Sequence, residues 1–184
     1  EIYLSMNDTI AKLHNVDFDK VNLADYGKHE NYMDRQIHRW TKQYKDSETQ
    51  MIPEINELIE WLPKNIPSDQ ETSIVHGDFR LDNMIFDPMT NEVKAILDWE
   101  LSTLGNPIAD FTYHMMSWRL PAGAKGLGMM GSDLKSLNIP SENEYAELYY
   151  KKTGREKIDN WDFYMAYNIF RLAGIAQGIV GRVR

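Results

Sequence analysis

The chain has 184 residues, enough for one well-packed domain but too few for two large ones. Its formal net charge of -8 argues against a nucleic-acid partner, because binding to a phosphate backbone needs clustered Lys and Arg. It contains no cysteine, which excludes disulfides, and no apolar run of membrane-spanning length, so we expect a cytoplasmic protein that binds no membrane.

The first third of the chain is predicted to be helical. Apolar residues at helical spacing predict a helix from Glu1 to His14, followed by a polar connecting loop over residues 15–30. Two amphipathic helices should follow, with apolar faces formed by Met33, Ile37, Trp40 and Tyr44 and by Met51, Ile55, Leu58, Ile59 and Leu62. Trp40 and Trp61 are expected to lie in the core.

The middle of the chain carries a group of polar residues at the ends of short apolar runs. One run ends at His76-Gly77-Asp78, Asn83 follows Asp78 by five positions, and Asp98 ends the next run but one. Two β-rich runs, at residues 84–86 and 93–97, flank turn residues and predict a hairpin. Because the two ends of an antiparallel hairpin meet at one edge, Asn83 and Asp98 are expected to face one ion.

The protein-kinase catalytic loop has an Asp and an Asn at this spacing, followed by a metal-binding Asp on a later hairpin. Phosphoryl transfer requires a carboxylate that accepts the hydroxyl proton and oxygen ligands for Mg²⁺. The pattern therefore predicts ATP and Mg²⁺ as cofactors. Asp78 is the predicted general base, and Asn83 and Asp98 are the predicted ligands of the metal and its nucleotide.

The amino-acid identities within these motifs indicate a particular family more specifically than the spacing alone. His76 to Asn83, with Leu97 to Glu100, resembles the aminoglycoside phosphotransferase and choline kinase superfamily, which has His-Gly-Asp where protein kinases have His-Arg-Asp. Residues 35–41, 98–110 and 171–178 are closer still to the kinase-like domains found alone in bacteria or fused to acyl-CoA dehydrogenases in animals. The resemblance covers nearly the whole chain. It implies an α+β, mainly α fold, the C-terminal lobe of a protein-kinase-like fold, with helices around the short β-hairpin that carries the site.

Three further residues receive roles beside this motif. Arg80 occupies a position where the resemblance implies contact with the transferring phosphate, and an ion pair with Asp82 or Glu100 is the structural alternative. His76 is expected to orient the loop. Asp110 matches an acidic residue that, in kinase folds, holds the catalytic-loop backbone from the following helix.

The remainder of the chain is predicted to be three helices and one long loop. A helix should begin at Pro107, another between a capping box at Ser141 and a stop at Gly154, and the last near Asn160. Residues 119–140 contain four glycines and are predicted to form a lid or substrate-side loop. Residues 126–131 match the G-x-G-x-x-G pattern, but they lack the preceding strand that a phosphate-binding loop needs.

Residues 1–184 are therefore expected to form a single domain, the catalytic and substrate-binding lobe, without the N-terminal ATP-binding lobe. The possible macromolecular partners are that N-terminal lobe and a second copy of the chain. The predicted function is transfer of the γ-phosphate of ATP to a hydroxyl of a small molecule. A catalytically silent pseudokinase or nucleotide-binding module and a metal-dependent hydrolase are the alternatives. The acceptor stays open among an aminoglycoside, a hydroxyacyl thioester and other alcohols, although residues 141–184 lack the acidic excess that aminoglycosides require.

Overall fold

The computed structural model describes residues 1–68, 71–123, 128–157 and 159–183. Within these ranges six α-helices surround two small antiparallel sheets, which is the mainly α arrangement expected from the sequence. The helices are α1 (Ile2–His14), α2 (Tyr32–Asp46), α3 (Pro53–Trp61), α4 (Pro107–Arg119), α5 (Glu142–Thr153) and α6 (Trp161–Val183). The strands are β1 (Ser73–Val75), β2 (Met84–Phe86), β3 (Val93–Ile96) and β4 (Thr103–Gly105).

The helices of the first third follow the predicted apolar periodicity, with two exceptions. Met51, predicted on the apolar face of the third helix, precedes that helix and is 69% exposed. The apolar face of α2 is buried as expected, from Met33 to Tyr44. Helix α3 begins at Pro53, where the missing N–H of proline costs no helical hydrogen bond. The expectation that Trp61 lies in the core is wrong, because its side chain is 43% exposed and only one edge of the helix faces inward. Its ring instead lies against that of Phe163.

The predicted hairpin is formed by β2 and β3, which pair Met84 with Ile96. The backbone N–H of Leu97 donates to the carbonyl of Asn83 at 2.8 Å, so the pairing continues to the residue before Asp98. The second sheet pairs β1 with β4, a strand that we did not predict because three residues carry no readable alternation. This pairing places Gly105, two residues before α4, opposite Ser73 at the start of β1.

Helices α4 and α6 form the centre of the fold. Helix α4 is buried on nearly all sides and packs along α6, which also packs against α2, while α1 packs along α5. On α6, Ile169 and Ile179 are exposed, whereas the polar Asn168 is buried. The side-chain amide of Asn168 donates to Ala109 O and to Thr112 Oγ1, so hydrogen bonds to α4 hold it on the buried face.

The C-terminal third confirms the predicted helix boundaries. The capping box of Ser141 and Glu144 opens α5, and Gly154 ends it with a φ of 71°. Between α4 and α5, Pro121 and Met130 form an isolated bridge, but residues 124–127 lie outside the described residues. The G-x-G-x-x-G match at residues 126–131 therefore lies partly outside them as well. In the described ranges, no helix combines the length and apolar character that crossing a membrane requires.

Candidate active site

Asp78 lies in the loop that follows β1, where a sharp turn exposes part of its carboxylate. The turn needs Gly77, which has a φ of 81° and whose missing Cβ would lie 2.7 Å from Leu101 O. The side chain of Asp78 is 19% exposed. Its Oδ1 accepts a hydrogen bond from the hydroxyl of Tyr113 at 2.7 Å, and its Oδ2 accepts one from Asn83 Nδ2 at 3.0 Å.

Asn83 and Asp98 lie at the same end of the hairpin. The Nδ2 atom of Asn83 donates to the backbone carbonyl and the carboxylate of Asp78, which fixes the orientation of the buried amide. Asp98 is exposed and has a left-handed backbone, with φ 63° and ψ 58°, at the point where β3 turns into a short 3₁₀ helix. The carboxylate of Asp98 makes no hydrogen bond or ion pair to any residue that the structure describes.

The atoms of this hairpin end match the ligand preference of Mg²⁺. Among the described residues, no three His, Cys, Asp or Glu side chains converge in a way that could hold a metal. Mg²⁺ in nucleotide sites needs only one or two protein oxygens, because water and phosphate oxygens complete its octahedron. The Oδ1 atom of Asn83 and the carboxylate of Asp98 have no donor within the described ranges. These two groups therefore fit a magnesium ion carried in with a nucleotide.

Asp110 contacts the backbone of the loop that carries Asp78. Its two carboxylate oxygens each accept a hydrogen bond from a backbone N–H, one from His76 and one from Gly77, both at 2.8 Å. The side chain of His76 spans from this loop to the hairpin, since its Nε2 donates to Leu97 O at 2.9 Å. Its Nδ1 accepts from the N–H of Asp78 at 3.2 Å. The loop is thus attached both to α4 and to the residue that follows β3.

Asp110 is a fully buried carboxylate with a histidine beside it. Its Oδ2 also lies 3.2 Å from His14 Nε2, while His14 Nδ1 lies 2.7 Å from the hydroxyl of Tyr149. Burial lowers the pKa of His14, so the ring is neutral and donates its Nε2 proton to Asp110. Burial alone would raise the pKa of Asp110, but the hydrogen bonds from His14 and the two amides outweigh it and lower this pKa. Asp110 therefore stays ionised and keeps both oxygens available as acceptors.

Arg80 forms an ion pair with Asp82, which the sequence analysis gave as the structural alternative to a contact with phosphate. Its Nη2 lies 2.8 Å from Asp82 Oδ2, whereas its Nε is 3.5 Å from Asp78 Oδ2. Both side chains of the closer pair are exposed, Arg80 at 47% and Asp82 at 65%. Surface pairs of this kind contribute little to stability and exchange readily. The guanidinium thus lies beside the carboxylate of Asp78 without being fixed there.

Two residues of the site were not singled out from the sequence. Tyr113 lies on α4 and holds the carboxylate of Asp78. Arg171 lies on α6, where its Nη2 donates to Gly77 O at 2.5 Å and its Cζ is 4.4 Å from the centroid of the Tyr113 ring. The sequence of residues 171–178 contributed only to the family resemblance. An Arg within a largely apolar helix does not reveal which loop it contacts.

A cavity of about 310 Å³ adjoins the loop on the side of Tyr113. We call it the apolar cavity, because its walls are mainly apolar and aromatic. Its charged lining residues are Arg80 and Asp82. The apolar wall is formed by Tyr3, Met6, Leu81, Tyr113, Met116, Leu120, Met129 and Leu172. Tyr113 and Arg80, which both line the cavity, contact the carboxylate of Asp78, which is not itself part of the lining.

Comparison with known proteins identifies close relatives. The model of the phosphotransferase enzyme family matches residues 1–148. Mouse acyl-CoA dehydrogenase family member 10 is 47% identical over 182 residues, which cover 98% of this chain and 17% of the relative. Human acyl-CoA dehydrogenase family member 11 is 40% identical over 183 residues, again 98% of this chain and 23% of the relative. The chain thus spans about a fifth of the length of these relatives.

Solved structures of similar proteins share the fold. A protein from Ralstonia eutropha, provisionally named an aminoglycoside phosphotransferase, is 53% identical with a TM-score of 0.95, covering 99% of this chain and 56% of that one. Choline kinase from Cryptosporidium parvum is 14% identical with a TM-score of 0.65, covering 99% of this chain and 59% of that one. At such low identity the choline kinase shows the fold alone. The kinase-like fold and the resemblance inferred from the motifs are confirmed.

Proposed function

Since the chain belongs to the phosphotransferase enzyme family, we propose that it transfers the γ-phosphate of ATP to a hydroxyl of a small molecule. The observation that carries this proposal is the arrangement of three side chains. The carboxylate of Asp78 is hydrogen-bonded to the amide of Asn83, and Asp98 follows the residue whose N–H binds the carbonyl of Asn83. This arrangement supports the assignment of one oxygen base and two oxygen ligands to the same end of the hairpin.

Asp78 acts as the general base in this proposal. Its carboxylate accepts the proton of the acceptor hydroxyl as the new bond from that oxygen to phosphorus forms and the bond to the oxygen of ADP breaks. The hydrogen bonds from Tyr113 and Asn83 hold the carboxylate in place before the acceptor arrives. Such positioning accounts for much of the catalysis in phosphoryl transfer.

Asn83 Oδ1 and the carboxylate of Asp98 would hold Mg²⁺. When bound, the ion would neutralise charge on the phosphate oxygens of ATP. Arg80 is exposed and weakly paired, so it can leave Asp82 and turn its guanidinium toward the same oxygens. We propose this role for Arg80, and positioning roles for His76 and Asp110.

The apolar cavity supports an acceptor with an apolar body. A polycationic aminoglycoside would need several acidic groups, but Asp82 is the one acid among the described residues that line this cavity, and it is paired with Arg80. An acyl chain would match walls such as Met116 and Met129. The names of the acyl-CoA dehydrogenase relatives make hydroxyacyl thioesters the first compounds to test.

We further propose that this chain is the catalytic and substrate-binding lobe of a longer kinase, with an ATP-binding lobe supplied by another segment. The chain covers 56% of the Ralstonia protein and 59% of the choline kinase, which leaves room for such a lobe in each. A cytoplasmic location and the absence of a nucleic-acid partner stay predictions.

The test is a turnover assay on the full-length protein. ADP formation is measured with MgATP and a panel of hydroxyl compounds, and the active acceptor is then used to compare wild type with Asp78→Asn. The variant should lose at least about a thousandfold in kcat, as expected when a general base is removed from a positioned site, while ATP affinity and thermal unfolding stay unchanged. Equal turnover would refute the proposal. ATP binding without ADP would indicate a silent module, and phosphate release without ATP would indicate a hydrolase.

A further inference from the structure

A second cavity adjoins the catalytic loop on the side of α2 and is strongly basic. We call it the cationic cavity; its volume is also about 310 Å³. Its walls come from the turn at Lys28, from α2, from α6 and from residues 100–103. The basic residues that line it are Lys28, Arg35, Arg39 and Arg171, and the acidic one is Glu100. Four positive charges against one negative charge stand out in a chain whose formal net charge is -8.

These basic side chains lack acidic partners among the described residues. None of the four forms an ion pair with a carboxylate that the structure describes. Arg35 donates from Nη2 to the carbonyl of Lys28, which holds its guanidinium at the cavity wall without neutralising it. Arg39 and Lys28 line the cavity and are exposed. Surface Lys and Arg commonly find a Glu or Asp nearby, so four unpaired cations around one cavity leave a local positive potential.

Arg171 is the buried member of this group. It is 6% exposed and lines the cavity, and its Nε is buried without a hydrogen-bond partner in the part of the chain that the structure describes. Its Cζ lies 5.2 Å from the centroid of the Trp40 ring and 4.4 Å from that of Tyr113. Aromatic faces stabilise a guanidinium only partly, and a buried cation without an anion carries a desolvation cost. The unpaired guanidinium therefore points to an anion as its natural partner.

We propose that the cationic cavity is a binding site for a phosphoryl group, carried either by free phosphate or by a phosphate monoester. Guanidinium groups match the oxygens of phosphate with paired, charge-assisted hydrogen bonds, and the cavity offers three of them. Its volume falls at the lower end of the range of about 300–1,000 Å³ that is typical of ligand pockets.

The position of the site would couple the bound anion to the catalytic loop. Arg171 donates to Gly77 O, which directly precedes Asp78, and the Tyr113 ring beside it carries the hydroxyl that holds Asp78. An anion on Arg171 would stabilise this arrangement. The cavity lining does not include Asp78, Asn83 or Asp98, so anion binding here does not depend on the proposed phosphotransfer.

The test is calorimetric titration of the full-length protein with inorganic phosphate in EDTA, without ATP, against sodium chloride at matched ionic strength. Wild type should bind phosphate saturably. Arg35→Gln and Arg39→Gln should each weaken the affinity about tenfold, as expected for loss of one charge-assisted hydrogen-bonding group. Arg182→Gln removes the same charge from an exposed position outside the cavity and should bind like wild type. Thermal unfolding of each variant verifies that the fold is kept.

Two further arms identify the ligand and exclude the catalytic site. Titration with glycerol 3-phosphate tests the ester, and whichever of the two compounds binds more tightly identifies the source of the phosphoryl group. Asp98→Asn should leave phosphate affinity unchanged. Absence of saturable binding, equal affinities for Arg35→Gln, Arg39→Gln and Arg182→Gln, or loss of binding in Asp98→Asn would overturn the proposal.

Discussion

The hydroxyl of Tyr113 donates a 2.7 Å hydrogen bond to Asp78 Oδ1, so a helix at the centre of the fold fixes the carboxylate that we propose as the base. Burial raises the pKa of Tyr113, and the hydrogen bond to Asp78 raises it further. The phenol therefore stays protonated at neutral pH and remains a donor. The same ring lies against Arg171, which holds the carbonyl of Gly77, so one aromatic side chain supports the loop in two ways.

Replacing Tyr113 by Phe tests the first of these contacts alone, because the ring against Arg171 is kept. We expect kcat to fall about tenfold as the carboxylate loses its orientation, with a loss of about 1 kcal/mol in the free energy of unfolding. Steady-state kinetics and urea unfolding measure the two effects. Tyr26→Phe, in an exposed loop, is the matched control. An unchanged kcat in Tyr113→Phe would show that the hydrogen bond does not position the base.

Asp110→Asn should destabilise the protein more than any conservative change on its surface. The carboxylate accepts from the backbone amides of His76 and Gly77 and from His14, whereas an asparagine side chain offers one acceptor oxygen and an N–H group that faces donors. We expect a loss of about 2–4 kcal/mol in the free energy of unfolding. Asp25→Asn, in an exposed loop, should change it by less than about 0.5 kcal/mol. Equal stabilities of the two variants in urea would contradict the assigned contacts.

Stability should fall as the pH drops from 7 to 5 because of a buried histidine. Burial lowers the pKa of His114 to about 4, and the charge of Asp110 only partly opposes this shift. The unfolded chain binds a proton at this histidine near its usual pKa of about 6.5, so between these values the unfolded state holds more protons than the folded state. We expect a loss of about 2 kcal/mol in the free energy of unfolding over this range from His114 alone.

His114→Gln isolates this contribution, because glutamine can keep a hydrogen bond to the hydroxyl of Tyr145 and does not titrate. The variant should lose less stability than wild type between pH 7 and pH 5, measured by urea unfolding at both values. Some dependence should persist, since burial also lowers the pKa of His14. The lowered pKa of Asp110 affects stability only below the usual carboxylate range, so it does not confound the comparison. Parallel pH profiles for both proteins would contradict this prediction.

Arg80 and Asp82 form a pair whose two members can be tested against each other. If Arg80 contacts the transferring phosphate, Arg80→Met should lower kcat by about 100-fold with little change in stability. Asp82→Asn removes the same ion pair but frees the guanidinium, so it should leave kcat within about threefold of wild type. Steady-state kinetics on both variants distinguish a phosphate contact of Arg80 from a purely structural ion pair. Equal, small effects would mean that the observed ion pair is the whole role of Arg80.

The sequence was sufficient for the six helices, for the hairpin and for the residues to which we assign the proposed chemistry. Helical periodicity located α1 and α2, and the turn between two β-rich runs located the hairpin that has Asn83 and Asp98 at one end. These signals are local, so a single chain displays them. The capping box of Ser141 and the stop at Gly154 are local in the same sense.

The features that sequence reasoning missed depend on contacts between distant segments. Strand β4 is three residues long and is stabilised by pairing with β1, so no pattern within it predicts a strand. Tyr113 and Arg171 contact targets that lie 35 and 94 positions earlier in the chain, so no local pattern in their helices reveals these contacts. The exposed position of Trp61 was mispredicted because helical spacing alone does not tell how much of α3 is covered.

The most direct test of the central claim, that Asn83 and Asp98 share one divalent cation beside Asp78, is a titration with Mn²⁺. Electron paramagnetic resonance would count the ions bound to the full-length protein in the presence of a non-hydrolysable ATP analogue. Asp98→Asn should weaken Mn²⁺ affinity at least about tenfold. Asp82→Asn, an exposed acid on the same loop, should bind like wild type. Equal Mn²⁺ affinity in wild type and Asp98→Asn would contradict the account.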